Sequence, residues 1–386
     1  MTLKEKSLFL HRKYKGKIEI KTKIKMDSQD VLSWAYSPGV AEPCRVIANN
    51  PNEVDTYTNR GNTIAIVTDG SAVLGLGNIG PKAALPVMEG KAALFKSFGG
   101  VDAMPICLDT QDPDEIIQIC KALAPTFGGI NLEDISAPKC MKILDTLERE
   151  LDIPVFHDDQ DGTAIVVAAA LINSAILVNK GLNSLEITLC GTGAAGNAIA
   201  RLLKSMGIHK IYAYNKDGVI QKANYDTYDY AIQGLIDDNI IDEKPGRNKN
   251  TLADLIENTD VFIGVSVGDL VTESMIKSMN DKPIVFAMAN PDPEIDPIKA
   301  HQAGACIVGT GRSDFPNQIN NVLVFPGIFK GALGNGVRTI TNTMKMNAAK
   351  AIASIISRDE LTPEYVIPSP FDKRVVLAVS KAIKND

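Results

Sequence analysis

Histidine and tryptophan are scarce in this 386-residue chain, with four of the former and one of the latter. No two histidines stand at ligand spacing, which argues against a zinc centre. The six cysteines, at 44, 107, 120, 140, 190 and 306, include no Cys-x-x-Cys pair. Most sit in apolar surroundings such as Pro105-Ile106-Cys107-Leu108, the pattern of reduced core thiols in a cytoplasmic compartment. Long hydrophobic runs are also missing. The longest, residues 163–178, is interrupted by Asn173-Ser174 and reads as a buried helix rather than a membrane span. Basic charge is in deficit, 40 Lys and Arg against 46 Asp and Glu, so nucleic acid is not an expected partner. The one basic stretch, residues 4–25, contains Glu5 and Glu19 and no apolar segment, unlike a transit peptide. Its alternation Lys17-Ile18-Glu19-Ile20-Lys21 predicts a solvated edge strand.

What is present is an apolar content of 45%, enough for sizeable cores, over a length that fits two domains. From residue 62 to 156, β-branched apolar runs alternate with segments of helical spacing. Residues 63–67, 103–108, 127–132 and 153–156 read as strands; 83–98, 113 onward and 138–149 read as helices. The same rhythm returns with strands at 185–190, 209–214, 260–265, 283–288 and 305–308, and helices at 197–206, 343–356 and 372–383. Residues 233–250, polar and carrying Pro245-Gly246, read as a connecting loop. Strands alternating with helices predict an α/β protein of parallel sheets covered on both faces. We expect two domains: an N-terminal parallel-sheet domain, residues 1–161, and a C-terminal Rossmann-type domain, residues 162–386, ending in helices.

In open parallel sheets, ligands bind beyond the carboxyl ends of the strands. Asp69, Asp109, Glu133-Asp134 and Asp158-Asp159 all follow such ends and are expected on one sheet edge. Two carboxylate pairs there suit Mg²⁺ or Mn²⁺, which take a few hard oxygens and leave room for substrate. An EF-hand reading of Asp159-x-Asp161-Gly162 fails because Ala168 stands where the closing glutamate belongs. His157 is read as a packed neighbour rather than a ligand.

Gly191-Thr192-Gly193-Ala194-Ala195-Gly196 follows a predicted strand and precedes a predicted helix, the context that dinucleotide binding requires. The first glycine permits the turn, the second lets backbone approach the pyrophosphate, and the third packs helix on strand. Gly75-Leu76-Gly77-Asn78-Ile79-Gly80 spells the same pattern, but Pro81 follows and no acidic residue closes a next strand. We read it as a structural turn. After the second Rossmann strand, the usual acidic residue is replaced by Asn215, followed by Lys216 and Asp217. That leaves NAD against NADP open. Lys91 lies on an apolar helical stretch, where snorkelling is the ordinary reading and a base facing a metal is the functional one. Tyr36 precedes the turn Ser37-Pro38-Gly39 and is, taken alone, as much a core or turn residue as a catalytic one.

Taken together, these pieces resemble the malic enzyme family in its short bacterial-type form. The matching stretches are Tyr36-Ser37-Pro38-Gly39-Val40-Ala41-Glu42-Pro43-Cys44, Thr68-Asp69-Gly70, Leu74-Gly75-Leu76-Gly77 and Gly90-Lys91. They continue through Glu133-Asp134, Asp158-Asp159, Gly162-Thr163-Ala164, the 191–196 loop, Ala289-Asn290-Pro291, Asn320-Asn321 and Phe325-Pro326-Gly327. The resemblance implies oxidative decarboxylation of (S)-malate to pyruvate and CO₂ with NAD or NADP. It implies Glu133, Asp134 and Asp159 as ligands of Mg²⁺ or Mn²⁺, Lys91 as general base, Asp158 as its orienting partner and Tyr36 as general acid. Asn290, Asn320 and Asn321 would hold substrate carboxylates, and the 191–196 loop with Asn215 would hold the dinucleotide. It further implies a cytoplasmic homodimer or higher homo-oligomer with no membrane partner and no acyltransferase-like domain after the Rossmann region. Larger eukaryotic-type members carry an arginine for a substrate carboxylate where this chain has Ala72. Three readings compete: a malolactic-type enzyme, a metal-independent amino-acid dehydrogenase, which leaves both carboxylate pairs unexplained, and a non-catalytic nucleotide sensor.

Overall fold

The structure is a computed structural model that describes residues 1–73, 75–246 and 250–385. Leu74 of the matched glycine stretch, residues 247–249 of the expected loop and the terminal Asp386 lie outside the described residues. Among the described residues, ten strands form two sheets. β1 (Thr63–Thr68), β2 (Asp102–Cys107), β3 (Gly129–Leu132) and β4 (Val155–His157) make a parallel sheet in the order β2-β1-β3-β4. The second sheet contains β5 (Glu186–Cys190), β6 (Lys210–Asn215), β7 (Gly218–Val219), β8 (Val261–Gly264), β9 (Ile284–Ala287) and β10 (Ile307–Thr310). Its order is β10-β9-β8-β5-β6-β7, parallel except for the short β7. The α/β architecture expected from the sequence is therefore the one observed.

Strand order reverses at two places, between β1 and β3 and between β8 and β5. Each reversal opens a crevice at the carboxyl ends, because the connections leave in opposite directions. Central strands are Ile- and Val-rich and buried on both faces, as sheets sandwiched by helices must be. The Thr163–Val178 helix is apolar on nearly all sides and buried, packed against the Ala194–Ser205 and Asn342–Ala353 helices. Its hydrophobicity serves the core that the two sheets share.

Two expectations fail. The basic N-terminal stretch is not an edge strand: Leu3–Tyr14 is helical and residues 17–21 pair with no strand among the described residues. A capping box, with Thr2 and Glu5 satisfying each other's backbone N–H groups, starts that helix. The Lys17 N–H donates to Glu89 Oε2 at 3.0 Å instead of to a ladder. Residues 233–250 are not all loop, since Tyr230–Asp237 is a helix whose Asp229 cap accepts from the N–H groups of Ala231 and Ile232. No residue before Ile64 is buried, although this arm carries exposed Phe9, Trp34 and Tyr36.

Candidate active site

The first crevice gathers charge. β3 ends at Leu132, which turns Glu133 and Asp134 into the gap between β1 and β4, with Asp134 held at φ +54°. After β4, one turn of π-helix, Asp158–Gly162, carries Asp158 and Asp159; such wide turns recur at functional sites. The Asp134 N–H donates to Asp159 Oδ2 at 2.9 Å, and oxygens of Glu133, Asp134 and Asp159 all lie within 4.8 Å of one another. Lys91 reaches the same place from the Pro81–Leu94 helix. Its Nζ lies 2.5 Å from Asp158 Oδ2 and 2.8 Å from Glu133 Oε1, and 4.2 Å from the centroid of the Phe325 ring.

Burial opposes charge on the Lys91 amine, but attraction from Asp158, Glu133 and Asp159 outweighs it and raises its pKa. Burial pushes the Glu133 carboxyl well up; Lys91 opposes the shift, while Asp159, Asp158 and Asp134 add to it. Asp158 is pushed up to about 7, chiefly by burial against the pull of Lys91. Four acidic groups thus surround one cation, an arrangement that a further positive charge would stabilise. His157 is fully buried, its pKa lowered by burial, and its Nδ1 stands 3.9 Å from Asp159 Oδ2, beyond hydrogen-bond reach. Asp69 ion-pairs with Lys139 at 2.5 Å, and Asp109 is exposed in the bend just past the end of the edge strand β2.

The second crevice has a different make-up. Gly191 directly follows β5 with φ +104°, and a Cβ there would fall 2.6 Å from the Val265 carbonyl oxygen. A Cβ on Gly196 would fall 1.8 Å from the Gly191 oxygen, so the turn closes only with glycine at both positions. Gly193 caps the Ala194–Ser205 helix and faces open space. Thr192, Ala194 and Ala195 complete the turn, and the helix N-terminus presents its amides there. Asn215 closes β6 and its Oδ1 accepts from the Asp217 N–H at 2.8 Å.

The malic enzyme N-terminal domain family matches residues 14–148, and the malic enzyme NAD binding domain family matches residues 160–384. The chain belongs to the malic enzyme family. It is 53% identical over 383 residues to the bifunctional malic/malolactic enzyme of Bacillus subtilis, covering 99% of this chain and 92% of that one. It is 42% identical to the NADP-dependent malic enzyme of Escherichia coli, covering 99% of this chain and 52% of its relative. The crystal structure of the NAD-dependent malic enzyme of Thermotoga maritima superposes with a TM-score of 0.93 at 47% identity, covering 98% of each chain. Family relatives thus include both NAD- and NADP-dependent enzymes.

Within this malic enzyme framework the predicted residues divide. Lys91, Asp158, Glu133, Asp134 and Asp159 come together as expected. Asn321 lies beside them, its Cβ 3.2 Å from the position a Gly162 Cβ would take. Asn320 caps the turn that follows, its Oδ1 accepting from the Val322 N–H at 2.9 Å. Asn290 is exposed after β9, and its carbonyl lies against Gly75, where a Cβ would fall 2.5 Å away. The second glycine pattern is thus a turn that joins the two halves of the molecule. Tyr36 is 67% exposed at the end of the Gln29–Ala35 helix, and no hydrogen bond or ring contact joins it to the cluster. At Ala72 the N–H is donated to the Asp134 carbonyl, so this position offers no group to a carboxylate.

Three residues at the site receive no role from sequence reasoning, although Gly162 and Phe325 stand in its matched motifs. Gly162 is required because a Cβ there would fall 2.0 Å from Asp158 Oδ1. Phe325, between Lys91 and Phe95, forms one wall of the lysine pocket. Lys345, buried on the Asn342–Ala353 helix, pairs at 2.7 Å with Asp161 of the π-turn. A lysine on the apolar face of a predicted helix was the available signal for the last; the other two were marked only as members of matched motifs, with nothing to say what they do.

Proposed function

We propose that the chain catalyses divalent-metal-dependent oxidative decarboxylation of (S)-malate to pyruvate and CO₂ with reduction of NAD⁺ or NADP⁺. The observation that carries this reading is the Lys91 amine, 2.5 Å from Asp158 and 2.8 Å from Glu133, at the strand ends beside three convergent carboxylates. Glu133, Asp134 and Asp159 fit Mg²⁺ or Mn²⁺: all offer hard oxygens, and their mutual repulsion is what a dication relieves. When bound, the metal supplies Lewis acidity at the C2 oxygen and competes for the carboxylate charge that otherwise keeps Lys91 protonated. Lys91 takes the C2 hydroxyl proton as hydride passes to the nicotinamide, and Asp158 orients its amine. Loss of CO₂ from the oxaloacetate so formed leaves the enolate of pyruvate, and Tyr36 delivers the one proton that C3 needs to give pyruvate. Asn290, Asn320 and Asn321 donate to the substrate carboxylates, while the 191–196 turn and Asn215 receive the dinucleotide. On this reading residues 1–161 form the substrate and metal domain and 162–386 the dinucleotide domain.

The acid assignment requires Tyr36 to reach the site, which places it second to Lys91. A cytoplasmic homodimer or higher homo-oligomer is the proposed assembly, because pairing would cover the arm whose Phe9, Trp34 and Tyr36 are exposed. The proposed partners are malate and pyruvate, with neither nucleic acid nor membrane.

The test is malate-dependent growth of NAD(P)H absorbance, with Mn²⁺ and then with chelator, alongside pyruvate and lactate analysis. Metal-dependent reduction with pyruvate as product is expected. Lactate without accumulated NADH would favour a malolactic activity, the second reading, which the name of the Bacillus subtilis relative motivates. No reduction of either cofactor and no decarboxylation would overturn both.

A further inference from the structure

Glu294 is fully buried, and neither the metal cluster nor the glycine turn uses it directly. Its Oε1 accepts from the Ser266 N–H at 2.8 Å and from the Ser266 hydroxyl at 3.1 Å. Its Oε2 accepts from the Ala289 N–H at 3.1 Å. Ser266 belongs to the loop after β8, and Ala289 to the loop after β9, so one carboxylate straps two neighbouring strand ends together. Room for it is made at Gly264, where a Cβ would fall 2.4 Å from the Glu294 carboxyl carbon.

Each end of the strap borders a binding element. Val265, next to Ser266, lies against Gly191 and Gly196 of the dinucleotide turn. Ala289 directly precedes Asn290. The Glu294 main chain adds to the tie, its carbonyl accepting from the Val271 N–H at 2.8 Å. A buried carboxylate is costly unless its oxygens are well donated to, and an apolar side chain would fill the space without that demand. What the carboxylate gives in return is geometry.

We infer that Glu294 is a positioning residue that sets the dinucleotide turn and Asn290 at a fixed separation, coupling cofactor binding to substrate binding. The substrate half of this inference rests on Asn290 contacting malate, as proposed above; the cofactor half does not.

Glu294→Gln keeps the shape but turns an amide NH₂ toward one of the two backbone donors. Losing a charge-assisted bond and opposing two donors should raise KM for malate and for NAD(P)⁺ about tenfold each, with a smaller change in kcat. NADH binding, read by fluorescence without substrate, should weaken to the same degree. Mn²⁺ affinity, read by electron paramagnetic resonance, should stay within about twofold, because the metal carboxylates stand on the other sheet; a general loosening would move it. Gly264→Ala, which pushes the carboxylate off its donors, should reproduce the pattern and add little to Glu294→Gln in the double variant. Ser266→Ala removes only the hydroxyl and should shift both KM values about twofold, giving a readout if Glu294→Gln fails to fold. Asn290→Ala is the control for the substrate half and should raise KM for malate alone. If Asn290→Ala is silent while Glu294→Gln still weakens NADH, the substrate assignment is lost and the coupling with it. Unchanged NADH affinity in Glu294→Gln and Gly264→Ala, or loss of Mn²⁺ affinity in parallel, would overturn the role of Glu294.

Discussion

The two crevices obey the same topological rule and fill it with opposite materials. Beyond β1, β3 and β4 stand Lys91, Glu133, Asp134, Asp158 and Asp159, side chains whose charges are crowded and mostly buried. At and beyond the ends of β5 and β8 stand Gly191, Gly193, Gly196, Gly264 and Gly268, where the working groups are backbone and the requirement is empty space. A small dicarboxylate and a dication are handled by charge placed at short range. A long dinucleotide is handled by amides, which carry no net charge and approach only where Cβ atoms are missing. The first crevice should therefore fail when a charge is removed and the second when an atom is added.

The largest effect is expected from Asp159→Asn, which removes one anionic oxygen from the metal set while preserving its shape. Turnover should fall about 10³-fold, with weaker Mn²⁺ binding and an unchanged NADH affinity. Parental turnover in chelator-treated buffer would remove Asp159 from the metal site. Lys91→Ala belongs to the same side of the comparison, with about 10²–10⁴-fold loss of malate oxidation. Malate oxidation at the parental rate would end its assignment as base.

The complementary change is Gly196→Ala, a single added methyl that would meet the Gly191 oxygen at 1.8 Å. Overpacking of this kind costs about 1–3 kcal/mol. It should weaken NADH binding about tenfold or more while leaving Mn²⁺ affinity at the parental value. A variant that binds NADH normally would show that the turn has slack and that the contrast between the crevices is overdrawn.

What the sequence made legible follows this contrast too. Glu133-Asp134 and Asp158-Asp159 could be brought together because a parallel sheet forces its strand ends to one edge, whatever their separation along the chain. The 191–196 turn could be read because strand, glycine spacing and helix are all local. Lys345 pairing with Asp161, 184 positions away, has no comparable rule behind it, since it depends on how the Asn342–Ala353 helix packs. Glu294 is as obscure: it lies in a Pro- and Asp-rich turn that composition marks as surface, yet it points inward. The N-terminal arm misled for a different reason. A period of two at Lys17–Lys21 describes a strand only if a partner is available, and the capping box at Thr2 and Glu5 was the stronger local signal. Likewise the polar composition of residues 233–250 as a whole hid the end of a helix that the Asp229 cap announced.

A smaller change sharpens the comparison at the rim of the second crevice. Asn215→Asp places a carboxylate where ribose hydroxyls are expected and where a 2′-phosphate would be repelled. The ratio of kcat/KM for NAD⁺ over NADP⁺ should rise about fivefold, since an exposed charge contributes about 1 kcal/mol or less. An unchanged ratio would move cofactor choice to Asp217 or to the 264–268 loop.

The smallest effect separates buried charge that serves a ligand from buried charge that does not. Glu148, on the Lys139–Glu150 helix, faces Lys345 and Asp161 and has Asp145 nearby; its Oε1 is buried without a hydrogen-bond partner among the described residues. Burial, only partly offset by Lys345 and reinforced by Asp161 and Asp145, pushes its pKa up to about 7. In the unfolded chain the same carboxyl titrates near 4.3, so the folded state binds this proton more tightly. Below about pH 4 the group is protonated in both states and its full contribution is present. Between about pH 4 and pH 7 the unfolded chain ionises first, and stability is lost progressively until the folded-state pKa has been passed. Glu148→Gln removes this loss, because the amide stays neutral throughout. The variant should therefore melt about 2 °C above the parent at pH 8 and close to it at pH 5, with Mn²⁺ and NADH affinities unaltered. A gain of equal size at both pH values would mean that packing, not the buried charge, governs this position.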